Sequence, residues 1–256
     1  MFRKLFAVVV CVSLLIIVSN AGNASGTLSS TISPIRPMNI NPRVLGKTMG
    51  QWGAEWWKWA YSSPNGANPV QDETGEFCDA NQPDGPVWFL AGSFGTTGVV
   101  RSCTIPEDKA LFFPLVNGVW IDCPNSPDED LEDEVVRSIM STFSGDPACQ
   151  LTCSVDGVAV SGLQIPAVRS QSPVFSIVLP ENHIANAGCE PPLPPGETGR
   201  AIAEGHWVML PALQPGAHTV QLHGALCDAG TGEVFFETGV TYYLTVTDDD
   251  DDADAD

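Results

Sequence analysis

The sequence predicts a mainly β protein: an Ig-like or jelly-roll β-sandwich with two short helices, stapled by disulfides. Three observations carry that prediction. The 256 residues include 21 Pro and 24 Gly, which divide the chain into short apolar runs joined by turns. Several of those runs alternate apolar and polar residues, the period of a half-buried strand. Finally, Cys78, Cys103, Cys123, Cys149, Cys153, Cys189 and Cys227 all follow a leader that directs the chain to a compartment where thiols oxidise.

That leader opens with Arg3 and Lys4, continues as an apolar run from Leu5 to Val18, and closes on the small residues Ser19, Ala21, Gly22 and Ala24. This is the layout of a secretory signal peptide. Its fourteen apolar residues fall short of the roughly 20 that cross a bilayer as a helix. Cys11 lies inside the apolar run with Val8, Val9 and Val10 before it, which does not suit lipidation at a processed cysteine. The expected organisation is a signal peptide over 1–24, an extended Ser/Pro-rich lead-in over 25–47, a single β-sandwich domain over 48–247 and an acidic disordered tail over 248–256. The mature protein is expected to be secreted or extracytoplasmic, in the periplasm or at the cell surface, and not to span the membrane.

Taking the elements in order, Thr48 caps a helix from Met49 to about Tyr61, where Trp52, Trp56 and Trp59 share one face at i, i+4 and i+7. That stripe is expected to be buried, leaving Trp57 as the exposed ring. Strands are expected near Val87–Leu90, Val99–Cys103 and Ala110–Val116. The run from Leu111 to Val116 is apolar on both faces, as in a strand covered from two sides. A second helix begins in the acidic stretch from Pro127 to Glu134, where the helix dipole favours acids, and its expected buried stripe is Leu131, Val135, Ile139 and Phe143.

The remainder reads as β. Asp156-Gly157 between Leu151–Val155 and Val158–Val160 is a two-residue hairpin signal, because a type I′ turn needs positive φ at both central positions. Further strands are expected at Val174–Leu179, Trp207–Leu210, His218–Leu226 and Gly239–Thr247. In the last, Val240, Tyr242, Leu244 and Val246 fall on one face and Thr241, Tyr243 and Thr245 on the other.

Among the cysteines, Cys78 and Cys103 are the expected pair. They flank a buried strand and a Gly-rich turn, and a hairpin there would bring them together and stabilise by roughly 3 kcal/mol. Cys149 and Cys153 stand four apart, about 13 Å along a straight strand, so they pair outward, with Cys123, Cys189 or Cys227 as candidates. One cysteine is left over. No C-x-x-C or H-x-x-x-H spacing supports zinc.

Segments WGAEWWKWAYSSP, NPVQDETGEFC, GPVWFLAGSFG and RSCTIPEDKALFFPLVN, then SVDGVAV, SPVFSIVLP and PGAHTVQL, resemble a group of secreted, largely bacterial proteins of unknown function that share the W-x3-WW, GPVWFLAG and ALFFP motifs. The resemblance runs from about Met49 to Val246 and implies a single exported domain. It implies no activity or ligand.

The chain carries 11 Lys and Arg against 31 Asp and Glu, a net charge of −20. Seven of the acids form the terminal run Asp248–Asp252, Asp254 and Asp256. Such a body repels phosphate backbones, so nucleic acid is an unsuitable partner; cell-surface polysaccharide or cations remain open, and solubility alone explains the charge.

Catalytic motifs fail one by one. Gly46-Lys47-Thr48 mimics the end of a P-loop, but Asn41 stands where its first glycine belongs. Neither G-x-S-x-G nor H-E-x-x-H occurs. His218 and His223 are separated by an odd number of residues on one strand and cannot share a metal. Asp79, Asn81 and Asp84 before Gly85 offer hard oxygen donors, which makes calcium the one candidate cofactor, although Pro83 interrupts any EF-hand spacing and an ordinary Asx turn accounts for the same residues.

Three readings of function follow. The chain is an exported non-catalytic protein with a structural or binding role at the cell surface or envelope; or a carbohydrate-binding module using exposed Trp; or a secreted hydrolase whose acidic site the fold assembles. The first is preferred because no catalytic constellation is visible.

Overall fold

A four-stranded sheet lies at the centre, with a five-stranded sheet on one face and a tryptophan-rich helix on the other. The computed structural model describes residues 35–38, 43–124, 126, 131–164, 167–185 and 189–248. The expected signal peptide, most of the lead-in, the first acids of the second helix and the tail after Asp248 lie outside the described residues. In chain order the elements are α1 (Met49–Ala60), β1 (Val87–Phe89), β2 (Val99–Pro106), β3 (Ala110–Ile121), α2 (Asp133–Met140), β4 (Ala148–Val155), β5 (Val158–Ala159), β6 (Arg169–Gln171), β7 (Val178–Leu179), β8 (Gly196–Glu197), β9 (Ala201–Leu210), β10 (Gly216–Cys227) and β11 (Val234–Thr247). Strands account for 40% and helices for 13%, so the fold is mainly β, as expected.

The central sheet has the order β1-β3-β9-β6 and the outer sheet β2-β11-β10-β4-β5, while β7 and β8 form a small ribbon of their own. Most neighbours are antiparallel, but β1 runs parallel to β3 and β2 parallel to β11. Between the two large sheets lie Leu111, Phe113, Val208 and Leu210 from one side, and Val220, Leu222, Val240, Tyr242, Leu244 and Val246 from the other. The opposite face of the central sheet presents Phe89, Phe112, Trp207 and Met209 to the indoles of α1. A strand covered on both faces cannot alternate with solvent, and all ten residues of β9 are buried. The apolar run Leu111–Val116 has the same cause.

Helix α1 starts at a complete capping box: Thr48 accepts from the Gln51 backbone N–H, and the Gln51 side chain accepts from that of Thr48. It lies close on the sheet because Gly53 has no Cβ; one placed there would stand 2.8 Å from the Trp207 indole. The hairpin β4–β5 turns through Asp156 (φ 51°) and Gly157 (φ 76°), both left-handed, as a type I′ turn requires. At the edge of the central sheet, the Gln82 amide bonds both the N–H and the C=O of Phe89, at 2.9 Å each, and so caps backbone groups of β1 that no strand covers.

Three disulfides join Cys78 to Cys103, Cys123 to Cys189 and Cys149 to Cys227, and Cys153 is a free, buried thiol. The reason offered above for Cys78–Cys103 is corrected: β1 and β2 are not a hairpin but belong to different sheets. The bond instead fastens the loop before β1 to β2, alongside a backbone hydrogen bond from Ser102 to Thr74. Cys149 and Cys153, an even distance apart, would share a face in a regular strand. Gln150 at φ 51° breaks that rule, with the four residues of β4 from Cys149 to Thr152 set against only three of β10, His223 to Ala225, a bulge that leaves Cys149 part-exposed and Cys153 in the core.

Two more expectations are corrected. The second helix buries Val136 and Met140, while Val135 and Phe143 are 43% and 67% exposed. A stripe at every fourth residue overshoots each turn by about 40°, so it swings off the sheet-facing side within three steps. The helix also ends in a π-helical turn, Ser141–Gly145, which breaks the 3.6-residue period. The segment Val174–Leu179 forms only a bridge at Phe175 and the short strand β7. Among the described residues, no helix is long and apolar enough to cross a membrane.

Candidate functional site

The indoles of α1 divide by what their N–H groups reach. Trp52 donates to the Val44 carbonyl at 2.8 Å, Trp56 to Leu90 at 3.0 Å and Trp59 to Ala80 at 2.9 Å. These bonds fasten the helix to three different loops. Trp57 was expected to be the exposed ring, and that is corrected: it is only 6% exposed. It packs edge-on against Trp56, with centroids 5.1 Å apart, and against Tyr61 at 5.2 Å. The loop after the helix packs back on it: Asn68 donates to the Ala60 carbonyl at 2.8 Å, and Val70 joins the same buried cluster as Trp57. A stacking platform of exposed tryptophans on α1 is therefore absent among the described residues.

Burial leaves Trp57 Nε1 without a hydrogen-bond partner, and the ring lines a cavity of about 140 Å³. Trp56, Phe94 and Phe236 supply its other aromatic walls, and Pro114 and Leu115 its aliphatic ones. Asn117, also in the lining, has a buried Nδ2 that likewise lacks a partner. Asn117 reaches this place through a bulge in β3 between Pro114 and Val116, which re-aims the strand after its apolar run. Opposite Asn117 in register stands Gly205 of β9, where a Cβ would lie 2.7 Å from that of Asn117. Sequence reasoning did not single out Asn117; the one available signal was a polar residue closing an apolar strand.

The remaining polar lining is satisfied internally. Thr238 Oγ1 accepts from the Ser93 backbone N–H at 3.0 Å, and the Ser93 hydroxyl donates to the Thr96 carbonyl at 2.5 Å. Phe94, 52% exposed, forms the rim. No Asp or Glu lines this cavity, nor the three wider grooves on the five-stranded sheet and its flanking loops.

The other sequence-derived candidates lie apart from it. Asn81 donates to the Ser62 carbonyl at 3.2 Å and to the Ser63 hydroxyl at 3.0 Å, so its side chain braces the end of α1 and does not converge with Asp79 and Asp84 on a common point. Among the described residues no group of three or more His, Cys, Asp or Glu is placed to hold a metal ion. His218 pairs with Asp156 at 2.8 Å and His223 with Glu237 at 2.7 Å, so the two imidazoles answer to different carboxylates. Burial works against the His218 cation, yet the hydrogen bond it donates to the Asp156 carboxylate raises its pKa above the ordinary value.

A polar cluster sequence reasoning missed fastens α2 to the sheet. Arg169 bonds the buried Glu204 at 2.5 Å and Asp146 at 2.7 Å, and Glu204 also accepts from Ser141 and Gln171. Next to it His206 is fully buried with neither ring nitrogen hydrogen-bonded; burial first, and then the Arg169 charge, push its pKa down to about 4. This neutral imidazole is walled in.

In comparisons with known proteins, no family model, no curated protein and no solved structure matches this chain.

Proposed function

We propose that this chain is an exported, non-catalytic protein with a binding role at the cell surface or envelope, and that the cavity beside Trp57 is where it binds. The observation that carries the reading is a cavity of about 140 Å³ walled mainly by aromatic and aliphatic side chains, Trp56, Trp57, Phe94, Phe236, Pro114 and Leu115 among them. Three disulfides support the export half of the reading, since such bonds persist where the surroundings are oxidising. The leader at Arg3–Ala24 supports it from the sequence.

The test uses the full chain expressed with its leader. The extracytoplasmic fraction is incubated with a mixture of small organic compounds, and retained and free compounds are identified by mass spectrometry after ultrafiltration. The expected result is a processed chain with three disulfides that retains a compound unchanged. Recovery from the cytosol with every thiol free overturns export. Conversion of a compound overturns the non-catalytic role, and retention of none overturns binding.

A further inference from the structure

The two histidines of β10 share an arrangement that their ion pairs alone do not describe. His218 has Nδ1 2.8 Å from the Asp156 carboxylate and Nε2 2.8 Å from the Gln214 carbonyl. His223 has Nδ1 3.0 Å from the Gln150 carbonyl and Nε2 2.7 Å from the Glu237 carboxylate. Each ring therefore stands between a carbonyl and a carboxylate, and both kinds of oxygen only accept hydrogen bonds. A neutral imidazole has one N–H, so its second nitrogen would set a lone pair against a lone pair. Only the imidazolium donates on both sides.

The rings join the edge of the five-stranded sheet to its interior. Gln150 is the bulged residue of β4, and Asp156 opens the turn from β4 into β5, a strand that pairs only with Ser154 and Val155. Gln214 precedes β10, and Glu237 belongs to β11. Asp156 and Glu237 are the charged groups that face the rings. The residues in register with them, Leu244 beside His218 and Gly239 and Thr152 beside His223, carry no charge. We propose that His218 and His223 form a pH-operated clasp: as imidazolium ions they pin the β4–β5 hairpin to β10, and on losing a proton each ring releases one of its two oxygens.

The sign follows from the His218 pair. Burial acts against the Asp156 carboxylate, but the Thr219 N–H and the His218 ring hold its pKa below the ordinary 3.8. The His218 pKa lies above its ordinary 6.5. Its contribution is therefore complete below pH 6.5, while Asp156 is ionised, and is lost as pH rises through the raised value. Both carboxylates are nearly half exposed, so each clasp is modest, and together they change the frequency of hairpin opening about tenfold.

Amide hydrogen exchange on the oxidised, isotope-labelled protein tests this at about pH 5.5 and about pH 8.5, with rates corrected for the intrinsic effect of pH. The reporters are the Asp156 N–H, bonded to the Thr219 carbonyl at 2.8 Å, and the Val160 N–H, bonded to that of Cys153 at 2.9 Å. Their protection is expected to fall about tenfold at the higher pH while that of the β3–β9 pairs holds. The double variant His218→Gln/His223→Gln should show no such fall. Nitrogen spectra of the wild type, which need no variant to fold, should show two protonated ring nitrogens on each histidine at the lower pH. Equal protection at both pH values overturns the clasp, as does a fall shared by β3 and β9, which would be global opening. A fall that survives in the double variant overturns it too, and so does a single N–H on either ring at the lower pH.

Discussion

Arg101 on β2 stands in register with Tyr242 on β11, and its Nη1 donates to the phenol oxygen at 2.8 Å. The phenol O–H in turn donates a hydrogen bond to the Ala91 carbonyl at 2.8 Å, just beyond β1 of the other sheet. The guanidinium also bonds the carbonyls of Val70, Asp72, Ala91 and Gly92. One buried cation thus ties the two sheets to the loop that walls the cavity, and it does so through backbone dipoles. Burial raises the Tyr242 pKa, partly offset by the Arg101 charge, so the phenol stays protonated and able to donate.

Arg101→Leu is expected to destabilise the protein by about 3 kcal/mol or more, because several buried carbonyls lose their donor together. Urea unfolding followed by tryptophan fluorescence measures it. A loss below about 0.5 kcal/mol would mean that the loop carbonyls find other partners.

Stability should fall with acid through His206. Its pKa is lowered to about 4 in the folded protein, against 6.5 for the unfolded chain, so between those values the unfolded chain takes up the proton that the native state refuses. The stabilisation is therefore complete above about pH 6.5 and lost as pH falls toward 4, a difference on the order of 3 kcal/mol. Unfolding free energies of the wild type and His206→Gln, compared across that window, isolate the contribution. Identical slopes would contradict it.

Disulfide loss should follow loop length. The closed loops span 25, 66 and 78 residues for Cys78–Cys103, Cys123–Cys189 and Cys149–Cys227. Chain entropy then predicts costs of roughly 3.5, 4.4 and 4.5 kcal/mol. Replacing each pair with Ala and measuring the urea midpoint checks the order. Cys78–Cys103 emerging as the costliest pair to lose would show that its cross-sheet fastening outweighs the entropy.

Cys153 should be inert. Burial pushes its thiol up to about 12, and only 5% of the residue is exposed. A thiol reagent at pH 8 is expected to find no reactive group in the native, processed protein and one per chain in urea. Rapid labelling of the folded protein would mean that β4 opens readily.

Much of this architecture was legible because local chemistry and fold agree. Val240, Tyr242, Leu244 and Val246 alternate and are all buried, and Asp156-Gly157 turns where its backbone freedom allows. The misreadings occur where tertiary context decides. Trp57 lies off the apolar stripe of α1, yet a loop covers it. Val135 continues a plausible helical stripe, yet Val136 is the residue that meets Ile202. The parallel pairing of β1 with β3 and β2 with β11 leaves no mark in any single strand. The cavity was invisible for the same reason: its lining residues Trp57 and Asn117 are 60 residues apart in the chain and come to one cavity only through tertiary packing.

The most direct test is a crystal of the oxidised protein soaked with cyclohexanone. The ring is predicted to lie in the cavity among Trp56, Trp57, Phe94 and Phe236. A cavity that stays empty at saturating cyclohexanone would contradict the account.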